Sequence, residues 1–353
     1  MIGDAIDLAR QNNDLARQNN DLMRQLASGI ANMIEQFDLQ VRLQNEIAAV
    51  NTAAFAEYKN IHAGKEVVVL GAGPTLDKYV PLNDAVHIGV KNVCLKPNVV
   101  LDYYFHQHFY SLDSKINTCT SYLDNIISLK CKKFIGIYTD PSLGAECSES
   151  FFLKNDNKNT ARYYVDHIPQ KQWHPNICFH PLDGYATIMT PALQFALYTN
   201  PKRIYLVGCD TSYEGYFTKE QDTRTITSAR NLKYLVFSFR RLKEFVQRWY
   251  PETEIISINP VNLKGLFHDV YTDENGTLVE DLDSVSERDF SDEAIRDFID
   301  RHIEQVLIDR LYAESSCKEC GKRDFVLARG LSDDNPDSIA VKCNCCGSIF
   351  STN

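Results

Sequence analysis

The sequence predicts an α/β fold with a doubly wound, mostly parallel sheet, preceded by a long polar helix and followed by a cysteine-rich segment. Short apolar runs rich in Val, Ile and Leu alternate with longer amphipathic stretches between residues 66 and 258. Such strands, separated by helices, are typical of Rossmann-like sheets covered on both faces. We predict strands at 66–70, 86–90, 99–105, 133–138, 177–180, 203–207 and 254–258, and helices at 190–198 and 228–250.

The N-terminal segment contains a seven-residue repeat, because residues 7–13 recur unchanged at 14–20. With Leu8, Leu15 and Leu22 at position d of a heptad, position a holds Ala5, Asn12, Asn19 and Leu26. This pattern predicts a coiled-coil helix through which the chain forms a homo-oligomer, and Asn at a is expected to fix the register. The alternative is a solitary polar helix or a low-complexity tail.

Composition narrows the classes of function. The chain has 353 residues, a formal net charge of -10 and 11 cysteines. The negative charge disfavours broad binding to nucleic acids or anionic membranes, and no apolar run approaches the roughly 20 residues that a membrane span needs. No secretory signal is recognisable, and scattered cysteines with one tight cluster indicate reduced thiols. These features predict a cytoplasmic protein.

The segment Gly71-Ala72-Gly73-Pro74-Thr75, here called the glycine loop, directly follows the first predicted strand. Glycine lets a backbone turn sharply and lets phosphate oxygens approach its amides. A dinucleotide fingerprint would need a third glycine where Leu76 stands, and an acid after the second strand, where Lys91 and Asn92 stand instead. The loop therefore predicts a phosphorylated, nucleotide ligand other than NAD. The alternative is a plain turn between strand and helix.

Further polar side chains follow the predicted strands, where the carboxyl ends of a parallel sheet form a ligand crevice. Asn92 is a candidate for the base or ribose, and Thr187 for the ligand-facing end of a helix. His106, His108 and Asp210 are candidates for the catalytic base, and Tyr213 and Tyr216 for donors to a leaving phosphate. Lys264 is a further candidate for neutralising phosphate. Satisfied loop histidines, turn-capping Asn and Asp, and a solvated lysine are the alternatives.

The C-terminal segment carries two Cys-x-x-Cys-Gly sequences, formed by Cys317 with Cys320 and by Cys343 with Cys346. This spacing predicts a structural four-cysteine zinc ribbon. The predicted organisation is a coiled-coil oligomerisation helix at 1–50, a nucleotide-binding transferase domain at 51–280, a linker with an amphipathic helix at 281–314, and the ribbon at 315–353.

Several spaced motifs together resemble a known family. Gly71 to Leu76, Ile88 to Asn92, Ile204 to Asp210 and Ser257 to Pro260 resemble the domain shared by Maf-type flagellin glycosyltransferases and the archaeal 6-hydroxymethylpterin diphosphokinase. That domain is similar to bacterial sialyltransferases with a Gly-x-Gly-Pro-Ser loop. The resemblance spans about residues 55 to 275 and excludes both ends of the chain.

The resemblance implies transfer of a sugar, such as a nonulosonic acid from a CMP-activated donor, to a hydroxyl acceptor. It implies nucleotide contacts for Gly71, Gly73, Thr75, Asn92 and Thr187, and support of the leaving phosphate by Tyr213 and Tyr216. The sialyltransferases place a general-base histidine before the helix that precedes the Asn-Pro strand, whereas this chain has no histidine between His180 and His268.

Two other functions remain open at this point. One is pyrophosphoryl transfer from ATP to a hydroxymethyl pterin, with Mg2+ held by Asp102 and Asp210. The other is a non-catalytic assembly protein that binds a nucleotide.

Overall fold

A ten-stranded sheet forms the centre of the described chain. The computed structural model describes residues 2–107, 123–139, 159–166, 173–184, 187–211, 216–218, 232–280, 290–291, 293–297, 319–321, 325–329, 339–343 and 345–351. The strands are β1 Glu66–Leu70, β2 Val86–Val90, β3 Tyr103–Gln107, β4 Lys132–Tyr138, β5 Thr160–Asp166, β6 Leu182–Asp183, β7 Arg203–Val207, β8 Glu254–Ile258, β9 His268–Thr272 and β10 Leu278–Glu280. The helices are α1 Ile2–Phe55, α2 Leu123–Ser128, α3 Met189–Tyr198 and α4 Leu232–Trp249.

The strand order is β10-β9-β8-β7-β1-β2-β3-β4-β5-β6, and every pair is parallel except β9 with β10. The chain starts at β1, moves outward to β6, and returns to β7 on the other side of β1. The strand order therefore reverses between β1 and β7. In doubly wound sheets this reversal opens a crevice at the carboxyl ends of the two strands, which is where ligands bind.

Apolar side chains cover both faces of the sheet, which explains the near-continuous apolar strands. One face packs against α3, α4 and the end of α1, with Phe55, Leu193 and Phe239 buried. The opposite face packs against α2 and two short 3₁₀ turns, Pro74–Lys78 and Lys91–Leu95. All ten residues of α3 are buried. The predicted α/β class with a mostly parallel sheet is confirmed.

The predicted strand bounds are correct where a strand is central and wrong near one edge. Strands at 66–70, 86–90, 203–207 and 254–258 are confirmed, the strand predicted at 99–105 lies at Tyr103–Gln107, and β5 was not predicted. The strand predicted at 177–180 is wrong, because this segment forms turns. Its carbonyls at Ile177 and His180 accept hydrogen bonds from Asn51 Nδ2 (3.1 and 2.8 Å), so the segment binds α1 and joins no strand.

The N-terminal helix is continuous from Ile2 to Phe55 and ends inside the α/β core. Asn51 is fully buried, and its Oδ1 accepts the Tyr164 N–H (2.7 Å), so α1 covers an open edge of β5. No helix in the described part of the chain combines the length and apolarity of a membrane span.

The C-terminal segment contributes a separate antiparallel sheet of three strands. These are β11 Phe325–Arg329, β12 Ile339–Cys343 and β13 Ile349–Ser351, with β12 in the middle. Gly321 and Gly347 follow the two Cys-x-x-Cys pairs and have φ values of 72° and 76°. These left-handed conformations favour glycine and are what tight cysteine turns require.

Candidate functional site

The glycine loop and the segment after β7 meet at the point where the strand order reverses. The Gly71 N–H donates to Val207 O (2.7 Å), and the Gly73 N–H donates to Gly208 O (2.8 Å). A Cβ on Gly71 would lie 2.4 Å from Gly208 O, and a Cβ on Gly208 would lie 2.4 Å from Gly71 O. Two backbones in direct contact therefore explain both glycines.

Asp210 joins the same contact from the β7 side. This side chain is 3% exposed. Its Oδ2 accepts the Thr75 N–H (2.9 Å), and its Oδ1 accepts the Thr75 hydroxyl. A Cβ on Gly73 would lie 2.4 Å from Asp210 Oδ2. The carboxylate thus lies against the start of the 3₁₀ turn Pro74–Lys78, where backbone N–H groups attract negative charge.

These bonds change how the glycine loop can meet a ligand. The amides of Gly71, Gly73 and Thr75 all donate to the β7 side, and the Ala72 carbonyl accepts the Phe217 N–H (3.0 Å). The predicted donation of these three amides to a phosphate is therefore replaced by bonds within the protein. The loop closes one side of the crevice, and charge for a phosphate has to come from its neighbours.

Lys91 and Asn92 are those neighbours, at the end of β2. Lys91 has a φ of 50°, a left-handed conformation that is uncommon for a residue with a side chain. The residues that do adopt such conformations cluster at functional sites. Its Nζ lies 3.3 Å from the Tyr216 hydroxyl and 5.4 Å from the centre of that ring. Among the described residues no carboxylate pairs with Lys91, so its positive charge is not neutralised there.

Asn92 is 3% exposed, and only one end of its amide has a described partner. Its Nδ2 donates to Thr218 Oγ1 (3.1 Å), whereas its buried Oδ1 has no hydrogen-bond donor within the described residues. A buried carbonyl oxygen without a donor costs about 1–3 kcal/mol. Such a group in a native site calls for a ligand or a water.

The N-terminus of α3 approaches the crevice from the other face of the sheet. Met189 Sδ would lie 3.4 Å from a Cβ on Gly71. Tyr198 is the last residue of α3, and its carbonyl oxygen accepts the N–H of Asn60 (3.2 Å). Because Asn60 shortly precedes β1, the C-terminus of α3 lies close to the amino end of β1. The helix is therefore antiparallel to β1 and directs its partial positive charge toward the crevice. Just before the helix, the Oγ1 of Thr187 accepts the Met189 N–H (3.2 Å).

The predicted catalytic residues lie at different points along this edge. His106 is 1% exposed, near the end of β3, with its ring stacked on Tyr104 at 6.3 Å. β1 and β2 separate β3 from β7, so His106 and Asp210 belong to strands roughly 14 Å apart at about 4.8 Å per strand. His108 and Tyr213 lie outside the described residues.

The structure also describes two further predicted groups, Asp102 and Lys264. Asp102 precedes β3, and its Oδ2 accepts the His87 N–H (2.8 Å), so it lies toward the amino ends of the strands. Lys264 is exposed and has its Nζ 5.4 Å from the centre of the Tyr271 ring.

Sequence reasoning missed the residues that hold the segment after β7 in place. The Asn262 N–H donates to Asp210 O (3.2 Å), and its Nδ2 donates to Thr211 O (2.9 Å). The signal was available in the Asn-Pro-Val-Asn sequence after β8.

Burial, followed by the charge of Asp210, raises the pKa of the Cys209 thiol well above its usual value. Cys209 therefore remains protonated and is a poor nucleophile.

Three cysteines of the C-terminal module come together in space. The sulfurs of Cys320, Cys343 and Cys346 lie within 4.8 Å of one another, and those of Cys320 and Cys343 are 3.6 Å apart. Ligand sulfurs at the corners of a zinc tetrahedron with ~2.3 Å bonds are roughly 3.8 Å apart. The cluster therefore fits a thiolate-bound metal. Cys317 lies outside the described residues.

The fold and crevice define an α/β protein with a Rossmann-like sheet and a polar site at its strand-order reversal. No family model and no curated protein matches the chain. Two matching solved structures are an alpha-2,3/8-sialyltransferase CstII mutant (14% identity, TM-score 0.33) and the sialyltransferase CstII from Campylobacter jejuni in complex with the substrate analogue CMP-3FNeuAc (15%, 0.32). Each match covers 66% of this chain, and 100% and 98% of the other chain, respectively. TM-scores this low do not establish a shared fold.

Proposed function

We propose that the protein is a glycosyltransferase that moves a sugar from a nucleotide-activated donor to a hydroxyl acceptor, with a CMP-linked nonulosonic acid as the expected donor. The observation that carries the proposal is the pair Lys91 and Asn92 beside the strand-order reversal. Lys91 presents an ammonium group without a described carboxylate partner, and Asn92 presents a buried Oδ1 without a described donor. A nucleotide supplies a phosphate for the first and an N–H or O–H donor for the second.

The same groups suit the departure of a nucleotide. Transfer breaks the bond between the anomeric carbon and a phosphate oxygen, so negative charge accumulates on the phosphate. Lys91, the Tyr216 hydroxyl and the N-terminus of α3 border the crevice and would stabilise that charge. The amides of Gly71, Gly73 and Thr75 already donate within the protein, so the contacts of the glycine loop would be mainly steric. The Thr187 hydroxyl accepts the Met189 N–H and can still donate its own hydrogen to the ligand.

The acceptor hydroxyl must lose a proton as it attacks. In an inverting reaction a base removes it on the side opposite the leaving group. Phe105 on β3 is the register partner of Val90 on β2, so the residues that follow them, His106 and Lys91, lie in the same carboxyl-end region. His106 therefore remains our proposed base, together with His108. Because His106 is almost fully buried, the acceptor would have to enter between the ends of β2 and β3.

The geometry gives less support to pyrophosphoryl transfer from ATP. That reaction needs carboxylates placed together around Mg2+. Asp102 lies toward the amino ends of the strands, and both oxygens of Asp210 accept bonds from Thr75 at the carboxyl ends. These two acids therefore do not form a metal site together.

We predict that CMP raises the melting temperature without Mg2+, and that Lys91→Ala weakens its binding about tenfold or more, because a charge-assisted hydrogen bond contributes about 1.5–3 kcal/mol. Thermal shift with CMP, CDP, UDP, ATP and GTP, with and without Mg2+, tests selectivity, and calorimetry tests the variant. Lys130→Ala is the control, since Lys130 is exposed just before β4, at the other end of the strands. Stabilisation by ATP only with Mg2+ would favour the kinase, and no stabilisation by any nucleotide would refute both enzymes.

We also propose that Cys317 completes the cysteine cluster around a structural zinc ion. The ion would link the two cysteine turns of a module whose three strands are short. We expect Cys317→Ser to remove the zinc that is otherwise measured at one ion per chain by elemental analysis of the purified protein. Cys345→Ser is the matched control, because Cys345 is exposed and outside the cluster. Unchanged zinc in Cys317→Ser would contradict the assignment.

A further inference from the structure

The N-terminal helix exposes a long row of apolar side chains before it reaches the α/β domain. Every residue from 17 to 42 is exposed, whereas Ile47, Asn51 and Phe55 are buried in the domain. At 1.5 Å per residue the exposed stretch is about 39 Å long. The large apolar side chains along it and just before it are Leu15, Leu22, Met23, Leu26, Ile30, Met33, Ile34, Phe37, Leu39 and Val41.

These side chains form a stripe. At about 100° per residue, all of them except Leu39 fall within an arc of roughly 120°. Leu39 lies on the opposite side, although its exposure of 67% is close to the 64% of Phe37. An apolar stripe of this width is typical of a helix that packs against another helix. We call it the α1 stripe.

The spacing within the α1 stripe changes at Leu22. Up to Leu22 the period is seven residues. Beyond it the apolar residues are spaced by four, four and three, which is an eleven-residue period. They are Leu22, Leu26, Ile30, Met33, Phe37 and Val41. An eleven-residue period gives about 3.67 residues per turn, so paired helices remain nearly straight or coil slightly to the right there. The apolar contact surface thus continues well past the heptads.

The charges and the Asn positions of α1 favour a second copy of the chain as the occupant of the stripe. Six acidic and four basic side chains lie between residues 2 and 42, so the helix lacks the excess of positive charge that draws helices to anionic membranes. In a parallel pair, equivalent a positions face each other, so Asn19 would meet its own copy. In an antiparallel pair, a faces d, so each Asn would be buried against Leu without a partner.

We propose that α1 pairs with α1 of a second copy, parallel and in register, from about residue 5 to residue 41, and that the crevices of the two copies are therefore held at the same end of the dimer. Gln44 continues the four-four-three spacing and donates through Nε2 to Phe179 O. The Phe179 side chain is exposed, so the stripe ends beside an apolar group of the domain itself. This inference does not depend on what the crevice binds.

The first test is the mass of the full chain in solution. We expect twice 40.3 kDa by light scattering at about 10 μM, where association depends on concentration. Phe37→Glu is expected to weaken the dimer at least tenfold and leave a monomer, because it buries a charge in the stripe. Leu39→Glu, with matched exposure on the opposite face, is expected to remain dimeric. A monomeric wild type, a larger oligomer, or equal dissociation of both variants would overturn the proposal.

The second test separates parallel from antiparallel pairing. A cysteine at Leu22 would face its own copy only in a parallel, in-register pair, so Leu22→Cys should form a disulfide-linked dimer under mild oxidation. Arg24→Cys places the thiol on the outer face of the same turn and should stay uncrosslinked, as should the wild type. Failure of Leu22→Cys to crosslink, in a variant that remains dimeric, would contradict the parallel arrangement. A helical circular dichroism spectrum shows that each variant is folded.

Discussion

Gly208→Ala is expected to lower the free energy of unfolding by about 2–5 kcal/mol, or to prevent folding altogether. Gly208 has a φ of 63°, which costs any residue with a Cβ about 1–2 kcal/mol. The added Cβ would also lie 2.4 Å from Gly71 O, a backbone atom at the end of the central strand β1. Neither strand end can move without breaking the bonds of Gly71 and Gly73 to the β7 side.

Gly64→Ala is the control for this prediction. It separates the free-energy cost of the left-handed φ from the cost of the steric contact between the new Cβ and Gly71 O. Gly64 has a φ of 77°, and a Cβ there would meet nothing within 4 Å. We expect it to cost only about 1–2 kcal/mol, the cost of the left-handed conformation itself. Urea unfolding of both variants measures the difference. Equal destabilisation would mean that the approach of the two loops is looser than 2.4 Å implies.

Periodicity predicted the central strands well because each of them is buried on both faces. β1, β2, β7 and β8 occupy neighbouring central positions, and their apolar runs end where the polar turns begin. Near the β6 edge of the sheet, apolar periodicity does not predict the strands. In β5 the sequence Thr-Ala-Arg-Tyr-Tyr-Val-Asp mixes polar and apolar residues, because Tyr164 bonds to Glu46 and its backbone to Asn51, both on α1. A partner that lies over 100 residues away leaves no local signal.

The crevice was predictable in place but not in detail. Glycines after the first strand marked the correct strand end, yet sequence alone cannot show whether a glycine admits a ligand or a neighbouring backbone. Here Gly71 and Gly73 meet the segment after β7, well over a hundred residues later in the chain. In the sequence alone, Lys91 stands out only because it is not the acid that a dinucleotide fingerprint needs. Its role depends on Tyr216, which approaches it only in the folded chain.

The largest effect on the crevice is expected from Asp210→Ala. The substitution removes both acceptors of Thr75 and leaves its half-buried N–H and hydroxyl without these partners, at a cost of at most about 1–3 kcal/mol each. The glycine loop should then lose its position, and CMP affinity should fall more than tenfold through the displaced crevice. Urea unfolding and calorimetry measure the two effects. Asp77→Ala is the control, since Asp77 is an exposed acid of the same turn and its pair with Lys96 contributes about 0–1 kcal/mol.

Asp210→Asn distinguishes a positioning residue from a catalytic base. The Asn side chain keeps one acceptor oxygen, but its NH2 would face either the N–H or the hydroxyl of Thr75, both of which donate to Asp210. One of the two bonds to Thr75 is therefore lost. If Asp210 holds the glycine loop, Asp210→Asn should lower both stability and CMP affinity by an intermediate amount, with KM rising along with any loss of kcat. If Asp210 were the base that accepts the proton of the acceptor, stability and CMP affinity would be nearly unchanged while kcat fell by orders of magnitude. Burial to 3% and two bonds to Thr75 favour the first outcome.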